Sequence, residues 1–329
     1  MGKKPYYSLT DAEILKQRRK FEIAKDSTDA EHIKNSIKSV SLCGADFFIL
    51  RHLETGRFHP MRTTCDKKYC PTCMEDWSRK LKARVKARAD WIKTGELRHL
   101  VLTIPNAPAG ALDQRLDQLY DAFRQWRKEG RKKKKGAWWK SVIGTAWKLE
   151  IDYSKKAGWH PHFHILIHAP HGIDLRHGSP GREGWNRITE NKGSKACYRN
   201  GIYIKKMKTD NYTREIIKYS MKPLQVKNLS SVELLELVQA TYKRRFFGSS
   251  GTLEIPPERE FEHEGEYEMI TSFQKLFTEM MTIGTETTKE MTKQFESALV
   301  YISQHKKSEF RFSQKMINYI EKVGSFKDS

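Results

Sequence analysis

No stretch of this 329-residue chain approaches the roughly 20 consecutive apolar residues that a membrane helix requires. The amino terminus, MGKKPYYSLTDAEILKQ, lacks the hydrophobic core of a secretion signal. Cysteine is scarce: there are five, and four of them fall between positions 43 and 73. The phosphate-cradling pattern G-x-x-x-x-G-K-[ST] is missing, which argues against a fused helicase, and there is no internal repeat. Acid is also in short supply, with 40 Asp and Glu against 61 Lys and Arg, a formal charge of +21. The first two absences predict a soluble cytoplasmic protein with no membrane partner. In that reducing compartment cysteines act as metal ligands or bystanders rather than as disulfides. The shortage of acid predicts a polyanionic partner, nucleic acid above all, because each neutralised phosphate releases condensed counterions.

The length allows two or three domains. Residues 1–40 are charged and read as helical or partly disordered, and DWSRKLKARVKARADWIKT (76–94) reads as a basic amphipathic helix. LRHLVLTIPNA (97–107) has the apolar, β-branched character of a buried strand, stopped by Pro105 and Pro108. Leu112, Leu116, Leu119 and Phe123 mark a helix over 111–128. The basic loop RKEGRKKKKGAWWKS (127–141) carries the adjacent Trp138 and Trp139, which suit stacking on single-stranded or hairpin DNA. Strands at 145–154 and 160–169, joined by KKAGW, form the most economical antiparallel hairpin. Residues 170–197 read as loop, 198–207 as a further strand, and 211–222 as a helix ended by Pro223. This order predicts an α+β fold, an antiparallel sheet with helices on one face. Beyond IPPE (255–258), Met269, Ile270, Phe273, Leu276, Phe277 and Met280, then Met291, Phe295, Leu299 and Ile302, follow helical spacing. They predict a helical appendage through which the chain forms homo-oligomers. Three regions are expected: 1–90 with a cysteine site and basic helix, 91–255 as the central domain, and 256–329 as the appendage.

GWHPHFHILIHA (158–169) places four of the chain's 12 histidines on one strand. Side chains alternate across a strand, so His162 and His164 share a face while Phe163, Ile165 and Ile167 pack on the other. Two neutral imidazoles two residues apart can converge on one cation. For Mg²⁺ or Mn²⁺ such a pair needs an oxygen ligand. Glu150 is the natural candidate because its strand pairs with the histidine strand; Asp152, on the same side, is the fallback, and His160 competes. His168 reads as structural or solvated.

In TTCDKKYCPTC, Cys70 and Cys73 form a C-x-x-C pair able to reach one tetrahedral ion from a tight turn that suits Pro71. Cys65 adds a third thiolate, and Cys43, or failing it His59, the fourth. The chemistry fits structural Zn²⁺. Cys197 stands alone and reads as an ordinary thiol. In REIIKYSMK, Glu215, Tyr219 and Lys222 lie along one helical face. A phenol with a pKa near 10 needs nearby positive charge to become a nucleophile.

The zinc-like CDKKYCPTC, the strand LVLTIPN, HPHFHIL, EIIKYSMK and RRFFGSSG (244–251) resemble, in order and over about residues 43–250, the HUH-endonuclease rolling-circle replication initiators (Rep proteins) of small bacterial plasmids. The resemblance implies an HUH endonuclease fold whose central antiparallel sheet is flanked by helices, with a zinc-binding N-terminal insertion and a helical C-terminal region. It implies a catalytic Mn²⁺ or Mg²⁺ held by His162, His164 and an acidic ligand mapped to Glu150, and Zn²⁺ at Cys43, Cys65, Cys70 and Cys73. Tyr219 would nick one strand at the plasmid double-strand origin, at a single-stranded or hairpin site, keep the 5′-phosphate and release a 3′-OH for the host polymerase, alongside a host helicase. Lys222 would position metal or phosphate, and Glu215 would activate water at termination. A transposase or relaxase of the same chemistry, and a non-catalytic zinc-containing DNA-binding regulator, are the competing expectations.

Overall fold

The computed structural model describes residues 11–43, 47–62, 64–92, 96–133, 137–189, 201–206, 229–255, 267–283 and 289–303. In chain order the elements are helices α1 (Asp11–Asp26) and α2 (Glu31–Leu42), strands β1 (Phe47–His52) and β2 (Phe58–Arg62), helix α3 (Pro71–Ala89), strand β3 (Leu97–Thr103) and helix α4 (Leu112–Gly130). Strands β4 (Gly144–Ser154) and β5 (Gly158–His168), helix α5 (Pro180–Ile188), strand β6 (Ile202–Lys206) and helix α6 (Ser231–Thr241) follow. Strands β7 (Phe247–Gly251) and β8 (Tyr267–Ser272) and helices α7 (Phe273–Ile283) and α8 (Lys289–Ser303) complete the described chain. None of the described helices is long and apolar enough to cross a membrane.

The chain divides into two compact units, one built from residues 1–22, 35–73 and 257–329, the other from 23–34 and 74–256. The larger unit is organised by a five-stranded sheet in the order β6-β3-β5-β4-β7, antiparallel at every pairing. β4 and β5 form the expected hairpin. Gly158 opens β5 at φ 76°, and a Cβ there would meet the Ala107 carbonyl oxygen at 2.1 Å. Ala107 and Trp159 exchange backbone hydrogen bonds of 2.7 and 2.8 Å at this contact, so only glycine fits both the turn and the approach.

Both faces of the sheet are covered, which corrects the expectation of helices on one face only. On one face Phe123 of α4 meets Phe163 at 5.1 Å and Trp147 at 6.2 Å. On the other, Leu81, Val85 and Ala89 of α3 pack with Leu97, Ala146 and Leu166. β5, central in the sheet, is therefore buried continuously from Pro161 to His168, as a strand with two covered faces must be.

Three local expectations change. The stretch 170–197 contains α5: the Ser179 side chain accepts from the Arg182 N–H, Pro180 supplies the preset φ of a first turn, and Trp185 anchors the helix by donating to the Thr103 carbonyl. The basic helix begins earlier, at Pro71, so Cys73 belongs to its first turn rather than to a free turn. Residues 267–272, assigned to a helix by their apolar spacing, form β8 in the three-stranded sheet β2-β1-β8 of the smaller unit, because β1 offers a strand edge to pair with. There Phe47 and Ile49 of β1 pack against Phe273, Leu276 and Phe277 of α7 and Phe295 and Ala298 of α8.

Candidate metal centres

Antiparallel register sets Glu150 of β4 directly opposite His162 of β5, with Lys148 opposite His164 and Asp152 opposite His160. Directly paired residues project from the same face, so Glu150, His162 and His164 meet on the face opposite Phe163. All three are buried, and their ligand atoms lie within 4.8 Å of one another. The His164 Nε2 is 2.8 Å and the His162 Nε2 3.6 Å from the Glu150 Oε2, and the two Nε2 atoms are 3.2 Å apart. The His162 Nδ1 donates to the backbone carbonyl of His160 at 3.1 Å, which turns the Nε2 toward the cluster.

Burial opposes ionisation of Glu150, but hydrogen bonds from His162 and His164 outweigh it and hold the carboxyl well below the usual carboxylate range. Burial also opposes a charge on His162, and Glu150 more than offsets it, so His162 is shifted up. For His164 burial prevails over Glu150, and the imidazole is shifted down. One carboxylate oxygen and two imidazole nitrogens thus converge at a buried point, a donor set suited to a divalent cation once both imidazoles are neutral. Asp152 is outside this group. His160 is turned to the Asn106 Oδ1 at 2.7 Å while its ring packs 4.9 Å from that of His162. The sequence gives no warning of His99 on β3, whose Nε2 lies 3.0 Å from the Nδ1 of His164; a lone histidine in an apolar strand signals nothing until the β3–β5 pairing is known.

His168 is a structural residue. Its Nδ1 is 2.7 Å from the Thr252 Oγ1 and its Nε2 3.1 Å from the Glu96 carboxylate. Trp138 and Trp139, read as a stacking surface for DNA, are instead buried: Trp126 lies 6.1 Å from Trp138 and 5.1 Å from Trp139, ring centre to ring centre. Bulky rings beside a basic loop find more apolar area against α4 than in solvent, and burial wins.

In the smaller unit the sulfurs of Cys43, Cys65, Cys70 and Cys73 lie within 4.8 Å of one another. Cys43 follows α2, Cys65 and Cys70 bracket a loop in which the Cys70 N–H bonds to the Lys67 carbonyl at 3.0 Å, and Cys73 starts α3. Tyr69 ties this loop to α2 through a 2.5 Å hydrogen bond to Ser36. The Cys43 and Cys73 sulfurs are 3.2 Å apart, and those of Cys65 and Cys73 3.8 Å. A zinc tetrahedron with bonds of about 2.3 Å has edges of about 3.8 Å, so the donor set fits that ion. Hydrogen bonds from the other three thiols drive Cys73 down toward the thiolate, while Cys65 and Cys70, as donors, are driven up. His59, the alternative fourth ligand, is not in the group. Tyr219, Glu215, Lys222 and Cys197 lie outside the described residues.

Fold and clusters together define an α+β protein whose larger unit presents a His-x-His strand opposite a glutamate on an antiparallel sheet, and whose smaller unit carries a four-cysteine group. A family model described as "Replication protein" matches residues 57–289, most of the chain, and the chain belongs to this family. It is also similar to "Protein rep" of Streptococcus pneumoniae serotype 2 (strain D39 / NCTC 7466), with 24% identity over 229 residues that cover 65% of this chain and 69% of that protein. Both findings agree with the kinship to rolling-circle plasmid initiators that the sequence motifs carry. No solved structure gives a significant match.

Proposed function

We propose that this replication protein starts plasmid rolling-circle synthesis by nicking one strand of the origin and later rejoining it, on an HUH endonuclease fold contained in residues 91–255. The observation that carries the proposal is the convergence of Glu150, His162 and His164 on one buried point of the sheet. A Mn²⁺ or Mg²⁺ held there supplies Lewis-acid polarisation of the scissile phosphate. Tyr219 is the nucleophile: its phenolic oxygen forms a bond to phosphorus as the bond to the 3′-oxygen breaks, and the net proton passes from phenol to the departing 3′-OH. The 5′-phosphate stays on Tyr219 and conserves the energy needed for rejoining. Lys222 positions the metal or the phosphate, and Glu215, four residues before the tyrosine in sequence, takes a proton from water at termination. Zn²⁺ in the four-cysteine group holds the N-terminal region together, and the C-terminal helices serve self-association.

Nicking of single-stranded DNA spanning the origin, in the presence of Mn²⁺, tests this reading. His162→Ala and His164→Ala each abolish cleavage while retaining zinc; undiminished cleavage by either variant contradicts the metal assignment. A protein that binds DNA tightly and cleaves no strand under any divalent metal is a regulator instead.

A further inference from the structure

The two histidines of the cluster are oriented in different ways. The Nδ1 of His162 is engaged by a backbone carbonyl, a partner supplied by the strand itself. The Nδ1 of His164 is engaged by a side chain from another strand, the Nε2 of His99 at 3.0 Å, with the two rings 5.3 Å apart and only 10° from parallel. Register explains the meeting. Val101 of β3 pairs with His164 and Leu166 with His99, so alternation puts His99 on the cluster's face, one step along the sheet. His99 is itself buried, at 7% exposure, and its Nε2 meets the cluster at His164.

We propose that His99 is the positioning residue of this centre: as a neutral imidazole it accepts the Nδ1–H of His164 and so fixes the tautomer whose Nε2 lone pair points at Glu150 and His162. The inference rests on the proposed metal site. A ligating histidine ordinarily hands its second N–H to a carboxylate, a carbonyl or water. A carboxylate at position 99 would set a second buried negative charge beside Glu150, at a cost in desolvation. An imidazole orients the ligand without adding charge, provided that its own proton sits on Nδ1.

Mn²⁺ affinity of the full-length chain, read from the free-ion electron paramagnetic resonance signal, tests the role without relying on turnover. His99→Phe keeps a buried ring and lacks an acceptor, and it weakens binding about 10- to 100-fold. His99→Gln presents an acceptor oxygen and restores most of the affinity. His99→Leu takes the place of the phenylalanine variant should that one fail to fold, as judged by its melting temperature and zinc content. Wild-type affinity in the folded Phe and Leu variants overturns the proposal. So does an equal loss in Phe and Gln, which marks His99 as packing only. Wild-type protein whose Mn²⁺ binding is unaltered by His162→Ala overturns the metal site itself, a different failure from the other two.

Discussion

Glu150 is a buried carboxylate held ionised by two imidazoles, and its position opposite His162 follows from a hairpin that the sequence makes legible. His162 and His164 were readable for the same reason, a period-2 alternation that only a strand satisfies. His99 was not, because its pairing with β5 is a long-range fact that no local pattern encodes. The cysteines are readable through the C-x-x-C spacing, with Cys43 preferred to His59 as their fourth partner, and the four sulfurs do come together. At that centre Cys70→Ser is expected to remove bound zinc, about one equivalent by elemental analysis, and to lower the melting temperature, since a structural site contributes its binding free energy to folding. Wild-type protein free of zinc after purification without chelators ends that account.

Among the elements, long strongly periodic segments were legible: α4, the β4–β5 hairpin and β3 lie within a few residues of their expected places. The failures have physical causes. α5 was hidden by its glycines and declares itself only through Ser179, Pro180 and the burial of Trp185. β8 carries apolar residues at a spacing that suits a helix, yet its partner β1 decides its conformation. Trp138 and Trp139 adjoin seven lysines and arginines at 127–135, a setting that suggests DNA contact, whereas they complete the aromatic core around Trp126. Trp139→Ala is accordingly expected to destabilise the protein by about 3–5 kcal/mol, as large-to-small substitutions in a packed core do. Urea unfolding measures it, and a change under about 1 kcal/mol, combined with weakened DNA binding, would restore the surface reading.

At the scale of the whole molecule the formal charge of +21 leads the argument, because a replication protein must find its DNA before it acts on it. If six to ten phosphates are neutralised, raising salt from 50 to 200 mM weakens binding about 10³- to 10⁵-fold, and a plot of log affinity against log salt is steep and linear. A flat plot places the excess charge away from the DNA. The two compact units divide the chemistry: the four-cysteine group belongs to the smaller, the Glu150–His162–His164 cluster to the larger. The claim that joins charge, sheet and cluster is covalent strand transfer. Its most direct measurement is a denaturing gel of the protein incubated with Mn²⁺ and single-stranded DNA tiling the sequence around its own gene, run beside Tyr219→Phe. A slower-migrating protein–DNA adduct that forms with wild type and vanishes in the variant is predicted; no adduct on either strand, or one that persists in Tyr219→Phe, contradicts the account.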